Sequence, residues 1–312
     1  MHVISRHSDL NKSSAGQLLV QHVHNNKNDW SKFLRLLFVG LGIGFLCAGI
    51  VMFFAYNWNY LHRFAKLAIL ESLLATTAML AVINRFKLLV RNALLAGSTI
   101  LVGALFAVYG QIYQTGADAY DFFFGWTIAV TIWAVISGFP VLWLIYLGLI
   151  NVTLGLYVDQ ANLPWEQATY YTLFLTLNLL VVFILVLLSW KKKMPSAPQW
   201  FINAISLFCI FLATAGTINS LFTYQSIWLG VLLLVVAGAY AGGLFYGFKT
   251  RQMFYLALIP LSAIIILTAL LMRISDEIGM MMIVVLTAAG GVAAVIKALV
   301  DLQKKWRIEK QS

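Results

Sequence analysis

Charge is scarce in this sequence. Only 10% of its 312 residues are Asp, Glu, Lys or Arg, where soluble domains carry roughly a quarter. Apolar residues fill 62% of the chain and the mean hydropathy is +0.87, so an ordinary soluble domain is excluded and lipid is the expected solvent. Cysteine is nearly absent: Cys47 and Cys209 both lie inside apolar runs, where they read as small core residues and imply no oxidising compartment. Histidine is confined to positions 2, 7, 22, 24 and 62, all outside the apolar runs. His22 and His24 would diverge on a helix and make a poor metal pair. No His-Glu-x-x-His, phosphate loop or nucleophile elbow occurs. The expectation is therefore a protein with no catalytic residues, no metal, no cofactor and no enzymatic activity.

What is present is a series of apolar runs. A hydrocarbon core of about 30 Å needs roughly 20 apolar residues in a helix, and ten runs meet that length: 36–56, 67–83, 93–113, 122–138, 140–158, 169–190, 200–221, 227–248, 253–272 and 279–300. The fold class that follows is all-α, a polytopic transmembrane helix bundle of about ten spans. Gly138, Phe139 and Pro140 divide the fourth run from the fifth, and a tight turn there is expected over a single kinked segment. The first run begins near Leu36 and is long enough to stay in the membrane, so a cleaved signal peptide is not expected.

The net charge of +10 does not point to nucleic acid, because the basic residues sit between and beyond the apolar runs. Cytoplasmic loops are enriched in Lys and Arg. With the N-terminus inside, eighteen basic residues fall on the cytoplasmic side, and only Arg63, Lys66 and Arg273 fall outside. Asp118, Asp121, Asp159, Glu166, Asp276 and Glu277 lean to the outer side. Both termini are thus expected in the cytoplasm. The organisation reads as a polar N-terminal segment at 1–35, spans one to six over 36–190, a basic loop at 191–199, spans seven to ten over 200–300 and a basic tail at 301–312. Within the first segment, Ser14 and Gln17 have capping-box spacing and would open a short helix.

Polar residues at membrane depth are functional candidates because they are costly there. Glu71 is the one acidic residue well inside an apolar run, and Ala68, Ala75 and Ala78 share its helical face. That small-residue face is expected to turn toward the bundle, although a local pairing with Lys66 or Arg63 is the plainer reading. Thr99, Gly103, Ala107 and Gln111 form a stripe at four-residue steps that should pack on a neighbour. Beyond it the outer end of the third span gathers Gln111, Tyr113, Asp118, Tyr120, Asp121 and Trp126. This region is expected to be the principal functional surface; alternatively, Asp118 and Asp121 simply begin the next helix, where carboxylates suit the exposed amides. Asn151 lies between Gly148 and Gly155 at helical spacing, where an interhelical hydrogen bond competes with a ligand contact. Asn178, Asn203 and Asn219 share that ambiguity. Small-residue repeats at Gly238 and Gly242, Ala237 and Ala241, Ala239 and Gly243, Ala289 and Ala293, and Gly290 and Ala294 read as packing signals.

The run Gly110-Gln111-Ile112-Tyr113-Gln114-Thr115-Gly116-Ala117-Asp118, then Phe122-Phe123-Phe124-Gly125-Trp126 and Pro140-x-Leu142-Trp143, resembles the bacterial membrane-protein family called domain of unknown function 2157. The loop from Asn57 to Leu67, opening Asn-Trp-Asn-Tyr, looks like that family's loop after the first span. The resemblance covers about residues 30–160. It implies a bacterial inner (cytoplasmic) membrane location and supplies no activity. The expected function is a scaffold, sensor or accessory subunit working in the lipid bilayer with a membrane or periplasmic protein partner. The alternative is a secondary transporter with a five-plus-five inverted repeat.

Overall fold

The computed structural model describes residues 60–309 except 84, 114, 115, 117, 164, 191–196, 224–226 and 275–277, together with isolated positions between 30 and 56. Most of the expected first span, and the capping box at Ser14, lie outside the described residues. Among the described residues there are nine long helices and no strand: α1 Arg63–Val82, α2 Leu88–Tyr113, α3 Ala119–Ser137, α4 Pro140–Gln160, α5 Gln167–Trp190, α6 Gln199–Phe222, α7 Ile227–Thr250, α8 Met253–Ile274 and α9 Ile278–Glu309. All nine are long and apolar enough to cross a membrane. They coincide with the second to tenth expected runs to within about five residues at each end, except that α9 continues nine residues past the expected limit.

The chain divides into two units, Met1–Ile69 and Leu70–Ser312, with α1 running through the boundary. In the first, the start of α1 is closed by the Lys66 amide donating to the His62 carbonyl at 3.2 Å, and the Phe64 amide donates to Nδ1 of His62 at 3.4 Å.

In the second unit, sequence dictates each boundary. Gly138 adopts φ +58° and ends α3, Phe139 is extended, and Pro140 takes the first helical position of α4. There the ring's fixed φ fits and its missing N–H leaves nothing unsatisfied. Spans four and five are accordingly separate helices. Helix α9 is 32 residues long, about 48 Å at 1.5 Å per residue, so it extends well past a hydrocarbon core. Its end is held by Arg251, in the α7–α8 turn, whose Nη2 lies 2.8 Å from Glu309 Oε2 and whose guanidinium sits 5.9 Å from the Trp306 ring centroid. Arg251 itself has φ +55°, a left-handed conformation that lets the turn reverse in two residues.

Two apolar cores lie within this unit. One gathers Val130, Ala134, Leu142 and Leu149 of α3 and α4, with Trp126, Trp133 and Tyr146 packed on them. The other joins α5, α6 and α7 through Leu175, Ile205, Cys209, Ala213, Leu232 and Val236. Trp143, Leu144 and Leu147 of α4 pack against this second core, so α4 serves both.

Candidate functional site

The stripe on α2 divides at its middle. Thr99 and Gly103 are buried, whereas Ala107 and Gln111 are exposed. The cause is Trp126 of α3, whose indole lies flat against Gly103 in a place that any Cβ there would occupy. With no side chain in the way, Trp126 Nε1 reaches past the glycine and donates to the Thr99 carbonyl at 2.7 Å. Two helical turns further along α3, Trp133 Nε1 donates to the Thr99 hydroxyl at 2.9 Å, and that hydroxyl donates to the Leu95 carbonyl at 3.0 Å. Two indoles thus clamp one threonine. Trp126, expected on the outer surface, is part of this internal clamp.

The C-terminal ends of α2 and α4 and the N-terminal end of α3 hold the rest of the expected surface. Asp118 sits at the N-cap of α3, and its backbone amide donates to Asp121 Oδ2 at 3.3 Å. The Asp118 carboxylate accepts a hydrogen bond from the Gln160 amide at the end of α4. Both carboxylates therefore order the start of α3 in addition to being exposed. Around them stand aromatic rings: Tyr109 and Tyr113 with centroids 4.6 Å apart, Tyr120 and Tyr157 at 5.1 Å, and Tyr120 and Phe124 at 5.5 Å. Tyr113, Phe124 and Tyr157 are each close to 45% exposed. Gln111 is exposed near them rather than buried against a neighbouring helix.

Asn151 is elsewhere. Its Nδ2 donates to Asn178 Oδ1 at 3.2 Å and Asn178 Nδ2 donates back to Asn151 Oδ1 at 2.7 Å. Each amide also donates to the carbonyl four residues earlier, Leu147 and Phe174 respectively, at 2.8 Å. Every N–H of the pair is engaged, so two buried amides form a closed clasp between α4 and α5. Asn203 accepts from Gln199 at 2.9 Å and from the Tyr255 hydroxyl at 3.2 Å. Asn219 donates to the Tyr171 hydroxyl at 2.7 Å. Glu71 is exposed on α1, with Ala68 and Ala75 exposed on the same face and Ala78 half-buried. The expected candidates therefore fall into three places: the end where the C-termini of α2 and α4 meet the N-terminus of α3, the α4–α5 clasp and the α1 face. Among the described residues no cluster of three His, Cys, Asp or Glu could hold a metal.

Two features escape a reading of the sequence. A polar line runs the length of α6, where Thr214 Oγ1 bonds to Ser262 Oγ of α8 at 2.5 Å and Ser262 also meets the Tyr240 hydroxyl of α7. Buried Thr217 and Ser220 continue that line with hydroxyls that have no hydrogen-bond partner among the described residues. A cavity of about 370 Å³ lies among α5, α6, α7 and α8. Its α7 wall contains Gly238 and Gly242, and a Cβ at either would meet nothing within 4 Å. These two glycines were expected to pack helices together; they leave a space instead. The close contacts of α7 are made one residue away in register, where a Cβ on Gly243 would lie 2.6 Å from Ile259 Cδ1. In α9 it is likewise Gly291, 3.0 Å from Ile264, and not Gly290, that meets a neighbour.

Nine apolar helices closed by indole, amide and hydroxyl contacts define a multi-pass α-helical membrane protein. Residues 9–143 match the model of a family described as Predicted membrane protein (DUF2157). The match takes in every stretch that carries the resemblance, from the loop after the first run to Pro140-x-Leu142-Trp143; it begins nearer the N-terminus than the resemblance does and ends at residue 143, short of 160. No curated protein matches the chain, and no solved structure does.

Proposed function

We propose that this chain is a non-enzymatic protein of the bacterial inner membrane, a scaffold, sensor or accessory subunit whose partner docks on the outer ends of α2, α3 and α4. The observation that carries the reading is the dispersal of the polar candidates. A translocation path needs them around one opening near the bilayer midplane, but Asn151 is spent in a closed amide pair while Gln111 and Glu71 are exposed at separate places. The outer ends, by contrast, combine exposed tyrosines with an amide and two carboxylates on a shelf stiffened by the Asp118–Gln160 contact. Aromatic rings that lose little entropy on contact, set beside groups that fix orientation, suit a protein partner. With the termini cytoplasmic, as the distribution of basic residues supports, this shelf faces the periplasm.

In cells lacking the gene, Gln111→Ala and Asp118→Asn are expected to fail to restore the deletion phenotype while inserting at near wild-type abundance. If they lower abundance as far as Gly103→Leu does, the stretch is structural and the reading falls. Reporter fusions at Ser312 and near Asp159 are expected to report opposite compartments, with Ser312 cytoplasmic; the same compartment for both would overturn the helix count, and a periplasmic Ser312 would overturn the orientation.

A further inference from the structure

We propose that the cavity among α5, α6, α7 and α8 is a binding site for one acyl chain of an anionic phospholipid of the surrounding membrane. Its wall is almost entirely carbon, contributed by residues such as Leu175, Leu179, Val182, Cys209, Ala213 and Ile259. Such a space stays dry and takes apolar guests; at about 370 Å³ it is more than twice the ~150 Å³ cavity that accepts benzene. Its shape selects a chain over a ring. The α5 wall runs from Leu175 to Leu187, about 18 Å along the helix axis, an elongated space that suits an extended chain.

The entrance is lateral. Phe183 of α5 and Phe245 of α7 both line the cavity and are 63% and 62% exposed. Each lies within about 10 Å of the C-terminal end of its helix, inside segments that span the membrane. The medium at that opening is hydrocarbon below and headgroups above. The headgroup preference comes from Lys249, whose ammonium stands 5.7 Å from the Phe245 ring centroid, at the rim where a lipid phosphate would rest. The polar groups inside are already occupied by each other. Ser206 and the Tyr255 hydroxyl are 3.2 Å apart, and Tyr255 reaches Asn203 Oδ1, so a guest need bring no hydrogen bond. Gly238 and Gly242 are one turn apart on the α7 wall and open the groove where side chains would close it.

The test is native mass spectrometry of the full chain released from phosphatidylcholine nanodiscs doped with phosphatidylglycerol. The wild type is expected to retain one phosphatidylglycerol. Gly242→Phe fills the groove from a position with room for a side chain, and retention is expected to fall about tenfold, as excluding two methylenes does. Lys249→Gln is expected to lower the preference for phosphatidylglycerol over phosphatidylcholine about fivefold, the effect of one basic residue near a lipid headgroup. Retention that is unchanged in a folded Gly242→Phe protein overturns the site, and equal retention of the two lipids by the wild type overturns the headgroup assignment. Should Gly242→Phe fail to fold, a photoreactive residue at Phe183 decides: acyl adducts well above those from Leu180, which is exposed outside the cavity, sustain the proposal, and equal labelling from both positions sinks it.

Discussion

Helices α2 and α3 and the groove side of α7 draw on the same small-residue pattern, yet it does opposite things in the two places. At Gly103 the missing side chain is filled by the Trp126 ring, and the indole hydrogen bond to Thr99 follows from that contact. At Gly238 and Gly242 nothing comes within 4 Å of where a Cβ would be, and the result is a cavity. The difference lies in the facing helix. Helix α3 offers two tryptophans seven residues apart, whereas α5 faces the groove with Leu179, Val182 and Phe183, which do not reach the α7 backbone. In lipid, helices gain little from simply hiding apolar surface, and close contact with a specific partner carries the association. A glycine without such a partner is a gap.

Substitutions sharpen the contrast. The largest effect is expected for Gly103→Leu, which forces the Trp126 ring off α2 and breaks its hydrogen bond. Overpacking of this kind costs about 3 kcal/mol, visible in reversible unfolding in bicelles and as loss of the monodisperse peak in detergent. Asn151→Leu comes next, because it strands the fully buried Asn178 amide at about 1–3 kcal/mol. The double variant Asn151→Leu/Asn178→Leu is expected to recover part of that loss, and a double-mutant cycle showing no coupling would mean that the clasp is not an energetic unit. A smaller effect is expected for Thr99→Val, which keeps the side chain's shape and the bond to the Thr99 carbonyl and removes the hydroxyl that accepts from Trp133. Such bonds average about 0.6 kcal/mol in membrane bundles. Gly242→Leu is the smallest, within about 0.5 kcal/mol of wild type, as for positions that touch nothing.

The sequence carries the helices well and their contacts poorly. Apolar run length and the Gly-Phe-Pro break were enough to locate α1 to α9, because both act within a single segment. The basic end of α9 was read as a separate tail, since charge marks where a span leaves the membrane but not where its helix stops. The contacts depend on what lies opposite. Trp126 was legible as an interfacial aromatic, but its burial required Gly103 to be on the facing helix in register. The single-residue offset between Gly242, which lines a space, and Gly243, which packs on Ile259, turns on a rotation of about 100° around α7 that no spacing rule resolves. Asn151 was recognised as costly to bury, and its partner Asn178 was seen too, yet the pairing links positions 27 residues apart and appears only once α4 and α5 are side by side. Thr214, Tyr240 and Ser262 carry no signal at all, being ordinary residues in apolar runs until α6, α7 and α8 bring their hydroxyls together.

The claim that one glycine makes a contact and the other a space is tested most directly by adding a single methyl group at each. Gly103→Ala and Gly242→Ala, measured side by side for reversible unfolding in the same bicelles, share the same backbone gain of roughly 0.5–1 kcal/mol that alanine has over glycine in a helix. The account predicts that Gly103→Ala is nonetheless destabilised, by about 1–3 kcal/mol, through collision with Trp126, while Gly242→Ala is as stable as wild type or more so. Equal and opposite behaviour is not required, but two variants destabilised to the same extent would contradict the account.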